Sequence, residues 1–266
     1  MMPVTPAAPN PDASFRVLTR GIRQWLAGWW RVIHLGALLL VLALSPSTYG
    51  VANQRALARH IYLGTAPSLL WFGVLSALIS TILIRIVLVT ALSYGLSQYA
   101  LEMVVRVLVL ELIPITAALF TALRCTIPYA VEVGALLHDG RGDDERLLCN
   151  EVLPRVTAGV FCALLLAAVS CVVALVIAYL SVYGFTTSGF AAYTHTVGRV
   201  FNPAVSSIFG MKIMLLAIAV ALMPMAAVLD HGPVGGHRTS AELRGLVRMF
   251  VVILLIEAAS LVGNYY

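Results

Sequence analysis

The sequence predicts an all-α polytopic membrane protein: an N-terminal interfacial and re-entrant helix followed by five transmembrane helices. Three observations carry that reading. Hydrophobic residues make up 61% of the 266 residues and charged residues 11%, where a soluble domain is nearer ~45–50% apolar and ~25% charged. Mean hydropathy is +0.95. The apolar residues fall into five runs long enough to cross ~30 Å of hydrocarbon, and no run shows the alternation of a barrel strand.

Residues 1–14, MMPVTPAAPNPDAS, are proline-rich and polar and read as a disordered tail. No basic segment leads into an apolar one there, so the start is not read as a cleavable signal. Residues 15–46 read as an amphipathic interfacial and re-entrant element. Phe15, Leu18, Ile22, Trp25, Leu26, Trp29 and Ile33 recur at helical spacing, while Arg16, Arg20, Arg23 and Arg31 share another face. A tryptophan-rich face opposite an arginine face suits the membrane interface on its anionic, cytoplasmic side. An amphipathic helix packed on protein would show the same period. Residues 34–44 stay apolar but stop at Ser45-Pro46-Ser47, too soon to span alone.

The five spans are predicted at 67–92, 101–123, 153–182, 205–229 and 243–263. Basic residues set their direction. With the N-terminus inside, thirteen arginines from Arg16 to Arg248 are cytoplasmic and the outer loops hold only Arg199. The C-terminus is then outside. A sixth span at 24–44 would place Arg124, Arg141, Arg146 and Arg155 outside. The arginines are spread over loops, so they are no nucleic-acid footprint. Cys125, Cys149, Cys162 and Cys171 lack C-x-x-C spacing, so neither a metal nor a disulfide is expected. Gly235-Gly236 follows no strand and precedes no Gly-Lys-Ser/Thr, so the chain is read as having no nucleotide site and no enzymatic activity.

Four charges stand inside the predicted spans at similar depth. Glu111 is ten residues into the second span, ~15 Å below the outer face, and Arg85, Lys212 and Glu257 lie ~10 Å deep. Lys212 is the only lysine. Pro114 removes a helix donor and loosens the backbone beside Glu111. Two compatible readings follow. Arg85 with Glu111, and Lys212 with Glu257, are ion pairs that hold helices together, or the charges line an outward-open polar cavity.

The stretch LELIPITAALFTALRCTIPYAVEVGAL, residues 110–136, resembles the signature of the MlaE/YrbE permeases. Their pattern is a Glu-Leu-Gly-Pro turn, a run rich in Ala and Leu, an Arg and a closing Ala-Glu-Ile-Gly. The corresponding residues are Glu111-Leu112-Ile113-Pro114, Arg124 and Val131-Glu132-Val133-Gly134. The chain departs from the pattern at Ile113, at Leu110, where a basic residue is often found, and at Arg85-Ile86, near a usual glutamine. Looser similarity runs from Arg59 to Val262.

The resemblance implies that residues 47–266 form an MlaE-like domain. It implies the permease subunit of an ABC transporter moving phospholipid, multi-pass in a bacterial inner membrane between cytoplasm and periplasm. Glu111, Arg85, Lys212 and Glu257 are then lipid-pocket candidates. The loop 125–152 carries the candidates for ATPase coupling, Glu132, Asp143, Asp144, Glu145 and Arg146, with 143–153 able to form one short helix. The implied partners are an identical or sister permease, a cytoplasmic ABC ATPase that binds the ATP, and a periplasmic MCE-domain protein. Two alternatives stay open: a secondary transporter using the intramembrane acids as proton relays, and a non-transporting scaffold for an MCE complex. Internal repeats, common in secondary transporters, are not evident.

Overall fold

The computed structural model describes residues 28–42, 51–138, 148–230 and 238–265, all helices and short connections. The predicted tail, the arginines at 16, 20 and 23, and the charged run 139–146 lie outside the described residues. In chain order the helices are α1 (Gly28–Leu42), α2 (Val51–Ser93), α3 (Ser97–Val104), α4 (Ile113–Thr121), α5 (Ile127–His138), α6 (Leu153–Tyr183), α7 (Phe190–Val200), α8 (Pro203–Asp230) and α9 (Arg238–Tyr265). Among the described residues, five stretches are long and apolar enough to cross a membrane: Leu57–Ser93, Tyr99–Leu136, Leu153–Tyr183, Pro203–Leu229 and Gly245–Asn264. They agree in number and order with the predicted spans.

Two boundaries differ, both at prolines. Pro67 was expected to open the first span but lies inside α2. One missing donor is tolerated in a long membrane helix, where neighbours and local adjustment satisfy the freed carbonyl. The second span was expected to end at Arg124. Instead a widened, π-helical turn at Ala122–Thr126, with the Ile127 amide bonded to the Ala122 carbonyl five residues back, carries the chain into α5. Pro128 then falls in the first turn after that adjustment.

The predicted outer loop also contains a helix, α7, that its Gly, Thr and aromatic content did not announce. Tyr193 anchors α7 on α6. Its hydroxyl donates to the Leu175 carbonyl at 2.7 Å, and its ring meets Tyr179 edge-on at 5.2 Å. Burial pushes its phenol up to about 12.

In the bundle α2 lies along α6, α9 along α8, and α6 against α8, with the second span packed on both α6 and α8. α1 buries Leu39 in the cluster of α5, α6 and α8 residues while Trp30, Ile33 and Val41 stay exposed. Helices in lipid gain little from burying apolar surface against each other, so close packing must hold them. Small buried residues such as Ala117, Ala122, Ala163, Ala167 and Ala221 serve that purpose. At Gly159 on α6 an added Cβ would sit 2.8 Å from Thr126 Cγ2 and 3.4 Å from Ala221 Cβ. Three spans meet there with no room for a methyl group. Outward, Trp71, Leu78, Ile82, Ile86 and Val89 of α2 are exposed, an apolar face that suits lipid.

Candidate functional site

The site begins with Pro114. A proline offers no amide hydrogen to the carbonyl four residues earlier, here that of Leu110. The preceding turns, Val105–Leu112, are widened, with the Ile113 amide bonded to Leu108 five residues back. π-type widening inside α-helices is frequent at functional sites. The Leu110 carbonyl finds its donor on another helix: Lys212 Nζ of α8 lies 2.9 Å away.

An ammonium has three hydrogens, and the other two go to carboxylates. Lys212 donates to Glu111 Oε2 and, at 2.7 Å, to Glu257 Oε1 on α9. Asn264 Nδ2, also on α9, donates to Glu111 Oε1 at 3.5 Å. Lys212 is 2% exposed and joins the second, fourth and fifth spans through one atom. With all three groups ionised the trio carries one net negative charge. Glu111 is its open member, with 15% of its side chain exposed against 1% for Lys212.

Three further polar atoms line the same face of α9. Glu257 Oε2, Ser260 Oγ and Asn264 Oδ1 are buried and lack a hydrogen-bond partner among the described residues. Their spacing of three and four residues stacks them on one side of the helix. Buried polar atoms left unpaired cost free energy, so this face is suited to a polar guest.

Arg85 does not pair with Glu111, contrary to one reading of the sequence. α2 turns Ile84 inward and leaves Arg85 exposed, while Lys212 takes the Glu111 carboxylate. The Lys212–Glu257 pair is present. Glu132 is exposed, and its Oε2 lies 3.5 Å from Arg155 Nε. Arg155 also donates to the Glu151 carbonyl at 3.1 Å and pairs with the Glu151 carboxylate. Asp143, Asp144, Glu145 and Arg146 lie outside the described residues. Sequence reasoning missed Asn264 and the Leu110 carbonyl. Pro114 was a usable signal for the carbonyl, and the α9 spacing of Glu257 and Asn264 for the amide. The Cys125 and Cys162 thiols, unrelated in sequence spacing, face each other at 3.5 Å and are free.

The family description Permease MlaE matches residues 57–262. The chain belongs to the MlaE permease family. The matched region takes in Glu111, Lys212 and Glu257, begins after α1 and ends just before Asn264. Comparison with individual curated proteins found no match. As a multi-pass membrane permease, the chain carries its buried charges inside membrane-spanning helices, where such charges usually serve a pathway or a partner.

Proposed function

We propose that this MlaE permease is the membrane subunit of an ABC-type transporter that moves phospholipid between the inner membrane and the periplasmic side of the envelope. The observation that carries the reading is the Lys212 trio, a polar cluster with one open carboxylate set among apolar spans. The open carboxylate of Glu111 and the unpaired atoms of Ser260 and Asn264 meet a headgroup, and the apolar walls meet acyl chains. Glu111 is the residue in contact with the headgroup, and Lys212 positions it. Arg85, exposed on α2, is left outside this pocket.

The same reading assigns the energy source to a separate ABC ATPase, docked on the segment from α5 to the start of α6 through Glu132, Asp143, Asp144, Glu145 and Arg146. A second permease and a periplasmic MCE-domain protein complete the assembly. The N-terminus is cytoplasmic and the C-terminus periplasmic. The test is purification from native membrane in mild detergent, followed by reconstitution with labelled phospholipid. An ATPase and an MCE protein should co-purify. Lipid movement should require ATP hydrolysis and fall at least tenfold in Glu111→Gln. Movement at full rate without an ATPase would transfer the case to a secondary transporter. Normal lipid movement in Glu111→Gln would remove the pocket assignment.

A further inference from the structure

A second site stands at the other end of the bundle. Between Glu111 and Arg124 the second span advances thirteen residues, ~20 Å along its axis. There α2, the widened turn Ala122–Thr126, α5, the turn Leu148–Val152 and the start of α6 enclose an open cleft of about 670 Å³, within the range of small-ligand pockets.

Its charges are unevenly satisfied. Arg155, 8% exposed, forms the floor and is already held by Glu151 and Glu132. Arg59 and Arg124 lie at the rim, both exposed, and neither has a carboxylate partner among the described residues. Among the described lining residues, three guanidiniums against two carboxylates leave one net positive charge, before His60 is counted. Tyr129 closes the back wall: its hydroxyl donates to the His60 carbonyl at 3.0 Å. That wall needs Gly64, because an added Cβ would stand 2.8 Å from the Tyr129 oxygen.

The cleft is also amphiphilic in one direction. Arg59, Leu63 and Pro67 are spaced by four along α2 and so form one stripe. All three are exposed. The stripe runs from a cation near the helix start to apolar surface toward the middle of the span. A free oxyanion would use only its first residue. A phosphate carried on an acyl chain would use all of it. Guanidinium forks suit phosphate oxygens, which they bind with paired charge-assisted hydrogen bonds.

We propose that the cleft between Arg59 and Arg124 binds the phosphate of an anionic lipid, whose acyl chain lies along Leu63 and Pro67. The site is separate from the Lys212 trio and does not rest on its proposed role in transport.

The experiment is native mass spectrometry of the full-length permease, titrated in detergent with phosphatidylglycerol, with diacylglycerol of the same chains and with inorganic phosphate. Wild type should hold phosphatidylglycerol in preference to diacylglycerol. Arg59→Gln with Arg124→Gln should bind phosphatidylglycerol at least about tenfold more weakly, as expected when charge-assisted contacts are lost, with diacylglycerol binding unchanged. Arg59→Lys with Arg124→Lys keeps the charge but not the fork and should bind more tightly than the double glutamine variant and more weakly than wild type, which separates loss of charge from loss of fold. Arg85→Gln, which removes an exposed arginine outside both sites, should bind phosphatidylglycerol as wild type does. Equal phosphatidylglycerol affinity in wild type and the double glutamine variant overturns the site. Inorganic phosphate that displaces the lipid at equal concentration overturns its lipid character and assigns the guanidiniums to a soluble phosphate.

Discussion

Replacing Lys212 with methionine removes one ammonium and leaves three acceptors without it. Glu111 and Glu257 both reach the same nitrogen, so their nearest oxygens lie within roughly 5 Å of each other. Two carboxylates at that distance repel by ~3 kcal/mol at an effective dielectric near ~20. The Leu110 carbonyl, which Pro114 cannot serve, loses its donor at a cost of about 1–3 kcal/mol. Protonation of one carboxylate relieves part of the repulsion, so the expected net loss is about 3–5 kcal/mol, the range for breaking a buried pair. At roughly 2–4 °C per kcal/mol, the melting temperature falls by about 6–20 °C. The assay is thermal denaturation of the full-length protein in detergent, followed by the fraction that still elutes as a sharp peak. The triple variant Lys212→Met, Glu111→Gln, Glu257→Gln should recover most of the loss, because replacing a whole buried charge cluster is often neutral. A Lys212→Met protein melting within 2 °C of wild type, or a triple variant no more stable than the single, would refute the trio as the joint of three spans.

Other outcomes follow from the same packing. Arg85→Gln should leave stability within about 0.5 kcal/mol of wild type, as for exposed sites generally, checked by the same melting assay; a loss as large as that of Lys212→Met would restore the rejected Arg85–Glu111 pair. Gly159→Ala should destabilise by about 1–3 kcal/mol through overpacking, and Thr126→Ser, which removes the Cγ2 that the new methyl group would meet at 2.8 Å, should recover part of it. Single cysteines placed at positions 141 and 191 of a cysteine-free chain should react with impermeant reagent from opposite sides of the membrane; reaction from one side would end the five-span arrangement. Alanines at Asp143, Asp144 and Glu145 should weaken retention of the ATPase while leaving the protein folded, and full retention with full transport would place that contact elsewhere.

Hydropathy along the chain was enough to establish the class, the number of spans and their order, because lipid imposes a length and an apolar composition on each span independently. Charge inside those spans was legible too: Glu111, Lys212 and Glu257 stood out because a charge in hydrocarbon is costly wherever it occurs. Helix ends at prolines were not legible. Whether Pro67 and Pro128 start, end or merely interrupt a helix depends on which neighbours satisfy the freed carbonyls, and those neighbours are distant in sequence. Pairing was decided only by the tertiary structure. Counting residues put Arg85 and Glu111 at similar depth, but depth says nothing about the side of the helix that faces a partner. α2 turns Arg85 away and Ile84 inward, and Lys212 supplies the counter-charge. Its third hydrogen bond, to a backbone carbonyl freed by Pro114, joins a local rule readable in the sequence to a partner 102 positions away. The cleft between Arg59 and Arg124 has the same origin. Its residues come from distant parts of the chain, and only their packing brings two guanidiniums without a carboxylate partner among the described residues to the head of one apolar stripe.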